Sequence, residues 1–451
     1  MHEDKALIRS QLGTVFRIAW PAVLESFFLS LAGMIDTLMV STIGADAVAA
    51  VGLTSQPKFL GLAVFMAMNI AVSAMVARRK GEGRRREANE TLAVAVVITL
   101  VLTVIVTALT VGFAGPVIRF CGSAPDTHSQ AVTYYSIIMG GTVFNSVSMV
   151  LNAAQRGSGN TRVSMIANIT SSIVNVFANY CLIGGHFGFP ALGITGAALA
   201  TVLGTVVAMG ISVASLYRKD GFLNLPYIAA NRAWRHFGHA AMIARMSVST
   251  LTEQVLMRIG FMATAIMAAD MGTKAMAAHQ VGMNCLGLSF SFGDGMQAAA
   301  VALIGQSLGQ NRKDLARKYG WLCEGTGILL ALMMCIVYML GGRALFGLFF
   351  AEEEIVNIGV GITRILMITV LFQICQVIFT GCLRGAGDVF YTMITSMVSV
   401  TIIRTAVGYV CCYVLGFGIY GIWMGIMADQ LVRLVMNGIR FAGGKWTEIR
   451  I

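Results

Sequence analysis

Charged residues are scarce in this chain of 451 residues: Asp, Glu, Lys and Arg make up 12% of it and hydrophobic residues 57%. Soluble domains carry roughly 25% charged residues, so this composition excludes a soluble fold of two or three domains. The net charge is +11, but the basic residues stand between long apolar runs and do not cluster with aromatic and polar neighbours. We therefore expect a membrane protein that binds no nucleic acid.

Several motifs that carry chemistry are also missing. The sequence has no GxxxxGK[ST] phosphate loop, which argues against ATP-driven transport by this chain alone. It has neither HExxH nor GxSxG, which argues against a membrane hydrolase. The nine cysteines form no CxxC pair and no zinc-type spacing, and we interpret them as packing residues. Neither a cofactor nor an enzymatic activity is predicted.

Long apolar runs recur along the whole chain. A helix needs about 20 apolar residues to cross the roughly 30 Å hydrocarbon core of a bilayer. The first run has no small-residue cleavage site, so we expect it to be a retained helix rather than a signal peptide. Twelve spans are predicted, approximately 15–41, 48–77, 90–115, 131–155, 162–186, 191–217, 239–269, 275–309, 318–341, 355–383, 389–415 and 418–441.

The distribution of Lys and Arg orients these spans. With both termini inside, 23 of the 32 basic residues lie in inner segments or within three residues of the inner end of a span, whereas the outer loops hold three: Arg119, Lys274 and Arg343. This bias matches the positive-inside rule. We therefore predict a multi-pass protein of the cell inner (plasma) membrane with both termini cytoplasmic. The basic runs 78–86 and 312–318 are topology signals by this reading, and contact with anionic lipids is an alternative role.

The two halves of the sequence match each other at a constant offset of 228 residues, which indicates a duplicated unit. The offset pairs Glu25 with Glu253, and RGSGN at 156–160 with RGAGD at 384–388. Six is an even number of helices, so both copies enter the membrane from the same side. The halves are therefore expected to relate by an axis along the membrane normal.

The predicted fold class is an all-α membrane protein with twelve transmembrane helices in two six-helix bundles related by a pseudo-two-fold axis. Residues 1–217 form the N-terminal lobe, 218–238 a cytoplasmic linker and 239–451 the C-terminal lobe. Two such bundles are the usual architecture of an alternating-access carrier, whose site lies near the midplane between the repeats.

Short motifs over nearly the whole chain resemble those of the multidrug and toxic compound extrusion (MATE) family. In the first half they are IAWP, MIDTLMV and GADAVAAVGL within 18–53, QRGSGNTR (155–162), NVFANYCLIGG (175–185) and FGFPALGITGAALAT (187–201). In the second half they are LTEQ (251–254), AAHQVGMN (277–284), LIGQSLGQNR (303–312) and LRGAGD (383–388). The resemblance implies a V-shaped pair of bundles that exports bulky amphipathic, often cationic compounds against the entry of Na⁺ or H⁺.

The implied partners are small organic substrates and membrane lipids, and a monomer is expected. Two other functions stay open. A flippase or exporter of lipid-linked precursors or peptides predicts a strongly basic cavity, against which the intramembrane acids argue. A channel or receptor is the second alternative, and a channel would carry current far above carrier rates.

Asp36 is the main candidate for a coupling site, because an acid in the bilayer costs at least roughly 2.5–3.5 kcal/mol. Asn175, Asn179 and Thr201 are predicted to reach a comparable depth on helices 5 and 6. These oxygens suit Na⁺ as a metal ligand set, and equally a proton-binding carboxyl. A structural hydrogen-bond cluster is the alternative. Pro21, about 15 residues earlier, is the candidate conformational hinge.

The resemblance implies a first-lobe coupling site built from an Asp with Asn and Thr positions on these same helices. This sequence carries Asn179 where many members of the family carry a second Asp, so the ion and its stoichiometry stay open. Resemblance also suggests an important Glu near Glu253, although its register differs between branches.

Further acids lie within the predicted spans. Glu253 and its repeat equivalent Glu25 are ion-coupling or substrate-binding candidates, with structural roles as the alternative. Asp294 is flanked by glycines, which allow close backbone approach or local unwinding; it either lines the cavity or caps a broken helix. Asp429 precedes Arg433 by one turn, and we interpret it as part of a structural ion pair.

Overall fold

The computed structural model describes residues 2–121, 123, 125–218, 221–235, 237–350 and 352–449. Within these ranges the chain is almost entirely helical, and each predicted span corresponds to one long helical segment. The segments are α1 (His2–Ser41), α2 (Ala45–Gly81), α3 (Arg85–Gly112), α4 in two halves (Pro125–Gly140 and Thr142–Gly157), α5 (Thr161–Gly184), α6 (Ile194–Ser215), α7 (Ala240–Asp270), α8 (Thr273–Gly309), α9 (Lys313–Phe349), α10 (Glu353–Ala386), α11 (Val389–Val414) and α12 (Ile419–Gly443).

Among the described residues, nine of these segments are long and apolar enough to cross a membrane, and the two halves of α4 together make a tenth. The remaining two, α7 and α8, are long enough but carry more polar residues. In α7 these include Glu253 and Arg258, and in α8 they include His279 and Asp294. The chain is therefore a multi-span membrane protein.

Two of the helices are irregular. The halves of α4 meet at Gly141 and are bent by 45° relative to each other. Helix α11 contains two π-helical turns, Met397–Ile403 and Val410–Val414. Each π turn widens the helix locally and displaces the side chains that follow.

The predicted linker is an ordered segment where the structure describes it; its residues 219, 220 and 236 lie outside the described ranges. It includes a short helix, Leu225–Ala230, whose first turn is capped by the Asn224 side chain. The segment packs against the beginning of α3, where Arg85 Nη2 donates to the Gly221 carbonyl at 2.8 Å and Asn89 Oδ1 accepts from the Asn224 amide at 2.9 Å.

The chain forms two compact units. The first unit combines the residues up to Ser26 with Val248–Ile451, and the second unit is Phe27–Ser247. Helix α1 thus contributes its first part to one unit and its last part to the other. The lobe boundaries derived from the sequence remain a prediction.

Each unit has its own apolar core. In the first unit the core surrounds α10, and Trp423 and Trp446 are among its fully buried side chains. In the second unit it includes the buried rings of Tyr134 and Tyr135 on α4. Small residues let the helices approach closely, as is usual where helices pack in a membrane. A Cβ on Gly425 of α12 would lie 2.6 Å from the Arg404 carbonyl oxygen of α11.

Replacing Gly425 by Ala is therefore expected to lower the melting temperature of the purified protein, because overpacking costs about 1–3 kcal/mol. Gly438→Ala on the same helix is the matched control. A Cβ on Gly438 would have a Phe379 ring carbon at 3.6 Å as its nearest neighbour. Without overpacking, a Gly→Ala change within a helix stabilises the folded protein by up to about 1 kcal/mol. Thermal unfolding in detergent measures both, and equal melting temperatures would contradict this packing account.

Candidate functional site

Asp36 is hydrogen-bonded to Asn179 within the second unit. Asn179 is fully buried on α5, and its side-chain nitrogen donates to Asp36 Oδ1 at 2.6 Å. Asp36 itself lies in the last turns of α1 and is half-buried. A hydrogen bond to an ionised acceptor is stronger than one between neutral groups. The Asn179 amide therefore compensates part of the cost of holding a carboxylate at this depth.

Asn175 and Thr201, the other two predicted members of the Asp36 cluster, extend this chain of hydrogen bonds. Asn175 Oδ1 lies 3.5 Å from the Asn179 side-chain nitrogen, and the Asn175 side-chain nitrogen donates to Thr201 Oγ1 at 3.3 Å. Thr201 Oγ1 in turn donates to the Ala197 carbonyl at 3.0 Å. The sequence prediction that these side chains come together is confirmed.

Lys58 is a member of this cluster that the sequence analysis did not single out. It is half-buried on α2 and interacts electrostatically with Asp36. Tyr134 on α4 also interacts with the Asp36 carboxylate. A signal was present in the sequence: an isolated Lys inside a hydrophobic span is costly and calls for a partner acid.

An apolar groove of about 530 Å³ lies beside Asp36 on the second unit. Both of its walls come from helices that carry the cluster: Ile35 and Met39 flank Asp36 on α1, and Val176 and Tyr180 flank Asn179 and Asn175 on α5. The remaining lining is also almost wholly apolar, namely Phe28, Leu31, Ala32, Ile169, Ser172, Ile173 and Phe177. A groove of this kind suits the hydrophobic part of an amphipathic molecule.

Glu253 belongs to the first unit, where both of its carboxylate oxygens accept hydrogen bonds. Arg384 Nη2 donates to Glu253 Oε2 at 2.7 Å, and Ser396 Oγ donates to Glu253 Oε1 at 2.6 Å. All three side chains are buried. The charged partner of Glu253, Arg384, is the first residue of the RGAGD motif. The match between this motif and RGSGN of the first repeat did not predict the contact.

Glu25 and Asp294 also belong to the first unit. Glu25 is buried on α1. Asp294 accepts a hydrogen bond from Ser26 Oγ at 3.1 Å. A Cβ on Gly295 would lie 2.4 Å from Val23 Cα, so this glycine permits the close backbone approach that the sequence suggested. The alternative that Asp294 caps a broken helix is wrong, because α8 continues without a break through it.

Three other buried acids lie in the first unit, and one of them, Asp388, pairs with Arg440 at 2.8 Å. Asp429 forms ion pairs with Arg404 at 2.6 Å and with Arg433 at 3.1 Å, which confirms the predicted pairing with Arg433. Glu324 on α9 was not singled out from the sequence. It is buried and forms a side-chain hydrogen bond with Cys375 of α10.

Among the described residues, no three His, Cys, Asp or Glu side chains cluster so as to hold a metal ion. A metal at the Asp36 cluster would therefore depend on one carboxylate and on amide and hydroxyl oxygens. This is a weaker ligand set than the multiple carboxylates of typical cation sites.

Many membrane-spanning helices, with a polar cluster next to an apolar groove in the second unit, are features typical of a membrane transporter. The MatE family model matches residues 21–181 and again 250–410. The chain therefore belongs to the MatE family of multidrug efflux transporters. The two matches fall in the two copies of the internal repeat.

Relatives and solved structures agree with this assignment. The chain is 27% identical to the "Probable multidrug resistance protein NorM" of Thermotoga maritima, covering 99% of this chain and 95% of that one. It is 23% identical to the "Uncharacterized transporter YisQ" of Bacillus subtilis, covering 96% and 95%. An outward-facing multidrug resistance MATE transporter superposes with a TM-score of 0.87 over 96% of this chain and 97% of that one; at 20% identity, this likeness shows the shared fold.

The buried pair of Glu253 and Arg384 generates a stability prediction. Glu253→Gln and Arg384→Met are each expected to destabilise the protein by about 3–5 kcal/mol, because each leaves one buried group uncompensated. The double substitution should recover part of this loss. As a control, Glu353→Gln removes one partner of the exposed Arg343–Glu353 pair, which contributes about 0–1 kcal/mol. Thermal unfolding of the four variants measures the coupling between Glu253 and Arg384. If the double variant loses as much stability as the two single variants together, the predicted coupling is absent.

Proposed function

We propose that this protein is a cation-coupled (Na⁺ or H⁺) secondary antiporter that exports amphipathic, often cationic organic compounds by alternating access. The observation that carries the proposal is the position of Asp36. It lies on α1 between two residues of the apolar groove and is hydrogen-bonded to α5, which forms the other wall. A change in charge at this carboxylate would therefore affect α1 and α5, the two walls of the groove.

The groove supports the substrate class. Aromatic and aliphatic side chains offer a large contact area without fixed hydrogen-bond partners, so they accept compounds of varied shape. A flippase for a lipid-linked pyrophosphate would instead require basic residues along the groove, whose lining is apolar. The names of the NorM relatives support drug export.

Helix α1 supports the coupling step. Pro21 lacks a backbone N–H and removes one hydrogen bond from the helix, which makes this turn the easiest place for α1 to bend. The helix is continuous through Pro21 in this structure. A change in charge at Asp36 alters its hydrogen bond to Asn179 and thereby the packing of the last part of α1 on α5. Bending at Pro21 would then change the groove.

The remaining acids have a different role in this proposal. Glu253 is already compensated by Arg384 and Ser396, so we assign the coupling event to Asp36. Asp294 and Glu25 lie along the path of α1 and α8 and position the first part of α1. Both termini are proposed to lie in the cytoplasm, in the cell inner membrane, with the protein acting as a monomer on small-molecule substrates.

Asp36→Asn is expected to abolish gradient-driven dye efflux from proteoliposomes while dye binding is kept, because the amide keeps the shape but has no charge to exchange. Asp314→Asn is the control, since Asp314 is an exposed acid in the first turn of α9. Efflux is measured under separately imposed Na⁺ and H⁺ gradients. If Asp36→Asn exports as fast as the wild type, the coupling assignment is wrong.

Val176→Trp should weaken dye binding at least about tenfold, since the larger ring fills the groove against α1 and steric overlap costs about 1–3 kcal/mol. The matched control is Ile166→Trp, an exposed position on the same helix that does not line the groove. Dye fluorescence anisotropy on the purified proteins gives both affinities. Equal affinities would place the substrate elsewhere.

A further inference from the structure

An aromatic cluster lies where the α5 wall of the apolar groove ends. Phe177 and Tyr180 line the groove and are three residues apart on α5, so they share one face of this helix. Phe187, from the loop that follows α5, contacts both rings, with a distance of 6.2 Å between its centroid and each of theirs. The Phe187 ring thus extends the aromatic lining of the groove beyond the helix.

His186 fixes the position of this loop on α5. Its ring stacks on Tyr180 with the centroids 4.0 Å apart, and its Nδ1 donates to the Tyr180 carbonyl at 2.8 Å. A Cβ on Gly184 would overlap the His186 ring, so this glycine makes the stacking possible. Phe187, the next residue along the chain, is thereby held beside the groove.

The backbone of Phe187 is strained. Its φ is +58°, in the left-handed region that residues with a Cβ rarely adopt. Gly185 and Gly188 in the same loop also have positive φ, which glycine adopts without strain. The Phe187 ring is 76% exposed, so its contacts with the other two rings bury little apolar surface. A strained backbone that presents an exposed ring points to a role in binding rather than in folding.

We propose that Phe187, Phe177 and Tyr180 form a cation–π site for the positively charged head of an amphipathic organic compound whose apolar part lies in the groove. The inference rests on the proposed function and deepens it, because it assigns the residues that select for positive charge. Phe177 and Tyr180 are 60% and 47% exposed, so all three rings present accessible surface. The face of an aromatic ring is electron-rich and attracts a quaternary ammonium group.

Two dansyl amides that differ only in their head group measure this preference for charge. One carries a trimethylammonium group, and the other carries the neutral tert-butyl group of the same shape. Fluorescence titration of the full-length protein in phosphatidylcholine nanodiscs, with empty nanodiscs subtracted, gives both dissociation constants. We expect the wild type to bind the trimethylammonium probe at least about threefold more tightly than the tert-butyl probe, as a cation–π contact predicts. A wild-type ratio of one would overturn the proposal.

Phe187→Leu should lower this affinity ratio to less than about half its wild-type value, because leucine keeps apolar bulk but has no π face. Phe187→Tyr keeps a π face and should retain the ratio. Phe189→Leu is the matched control: Phe189 is a half-exposed ring of the same loop, and among the described residues it makes no ring contact with α5.

The change in the ratio is the decisive quantity, since a carboxylate elsewhere on the protein would favour the cationic probe equally in all variants. An unchanged ratio in Phe187→Leu would overturn the proposal. So would an equal loss in Phe189→Leu, because anchoring of aromatic rings at the membrane surface would then explain both results.

Phe187→Gly separates binding from folding. Glycine relieves the positive φ, so the melting temperature should stay at the wild-type value or rise while the affinity ratio falls. If the melting temperature drops instead, the ring is a structural element and the proposal is wrong. Phe177→Leu covers the case in which the loop variants do not fold, because it removes a ring from the regular helix α5; its ratio should fall as well, and a wild-type ratio would contradict the proposal.

Efflux of the same two probes separates this proposal from the proposed function. A wild type that prefers the trimethylammonium probe but exports neither probe under any imposed gradient would overturn antiport and leave the aromatic site standing. Gradient-driven export of both probes, with an affinity ratio of one, would overturn the aromatic site and leave antiport standing.

Discussion

The second unit is organised around one requirement: a carboxylate within a hydrophobic span must be compensated. Asp36 meets it with the buried Asn179 amide at 2.6 Å and with the charge of Lys58. This requirement ties α1 to α5 by a hydrogen bond and to α2 by charge, and Asn175 and Thr201 extend the connection to α6. Two of these helices, α1 and α5, form the walls of the groove, so compensation of the charge and the shape of the binding surface depend on each other.

Two buried acids of the first unit are compensated in another way. Glu253 and Asp429 contact arginines directly, at 2.7 Å and 2.6 Å. A guanidinium holds a carboxylate in a fixed geometry and cannot be deprotonated in a protein. Pairs of this kind suit a permanent scaffold. Asp36 faces neutral amides and one flexible lysine, and this looser environment is the one that suits an exchangeable charge.

The helices and the members of the Asp36 cluster could be predicted from the sequence. Hydropathy identifies the membrane spans, and the rise per residue of a helix gives the depth of each side chain in the membrane. The contacts of Lys58, Arg384 and Glu324 could not be predicted, since they join helices whose relative rotation no local pattern encodes. The π-helical turns of α11 were missed for a related reason. They change side-chain direction without interrupting the apolar run, so the hydropathy of the segment carries no trace of them.

The division of the chain bears on how such a protein arises from a duplicated gene. Residues up to Ser26 complete the unit built from the second repeat, and the residues just before Val248 complete the unit built from the first. Each repeat therefore lends the beginning of its first helix to the other. An ancestor with one copy of the repeat could exchange that segment with a second chain, as a swapped homodimer does. Gene fusion would then have made a reciprocal exchange permanent.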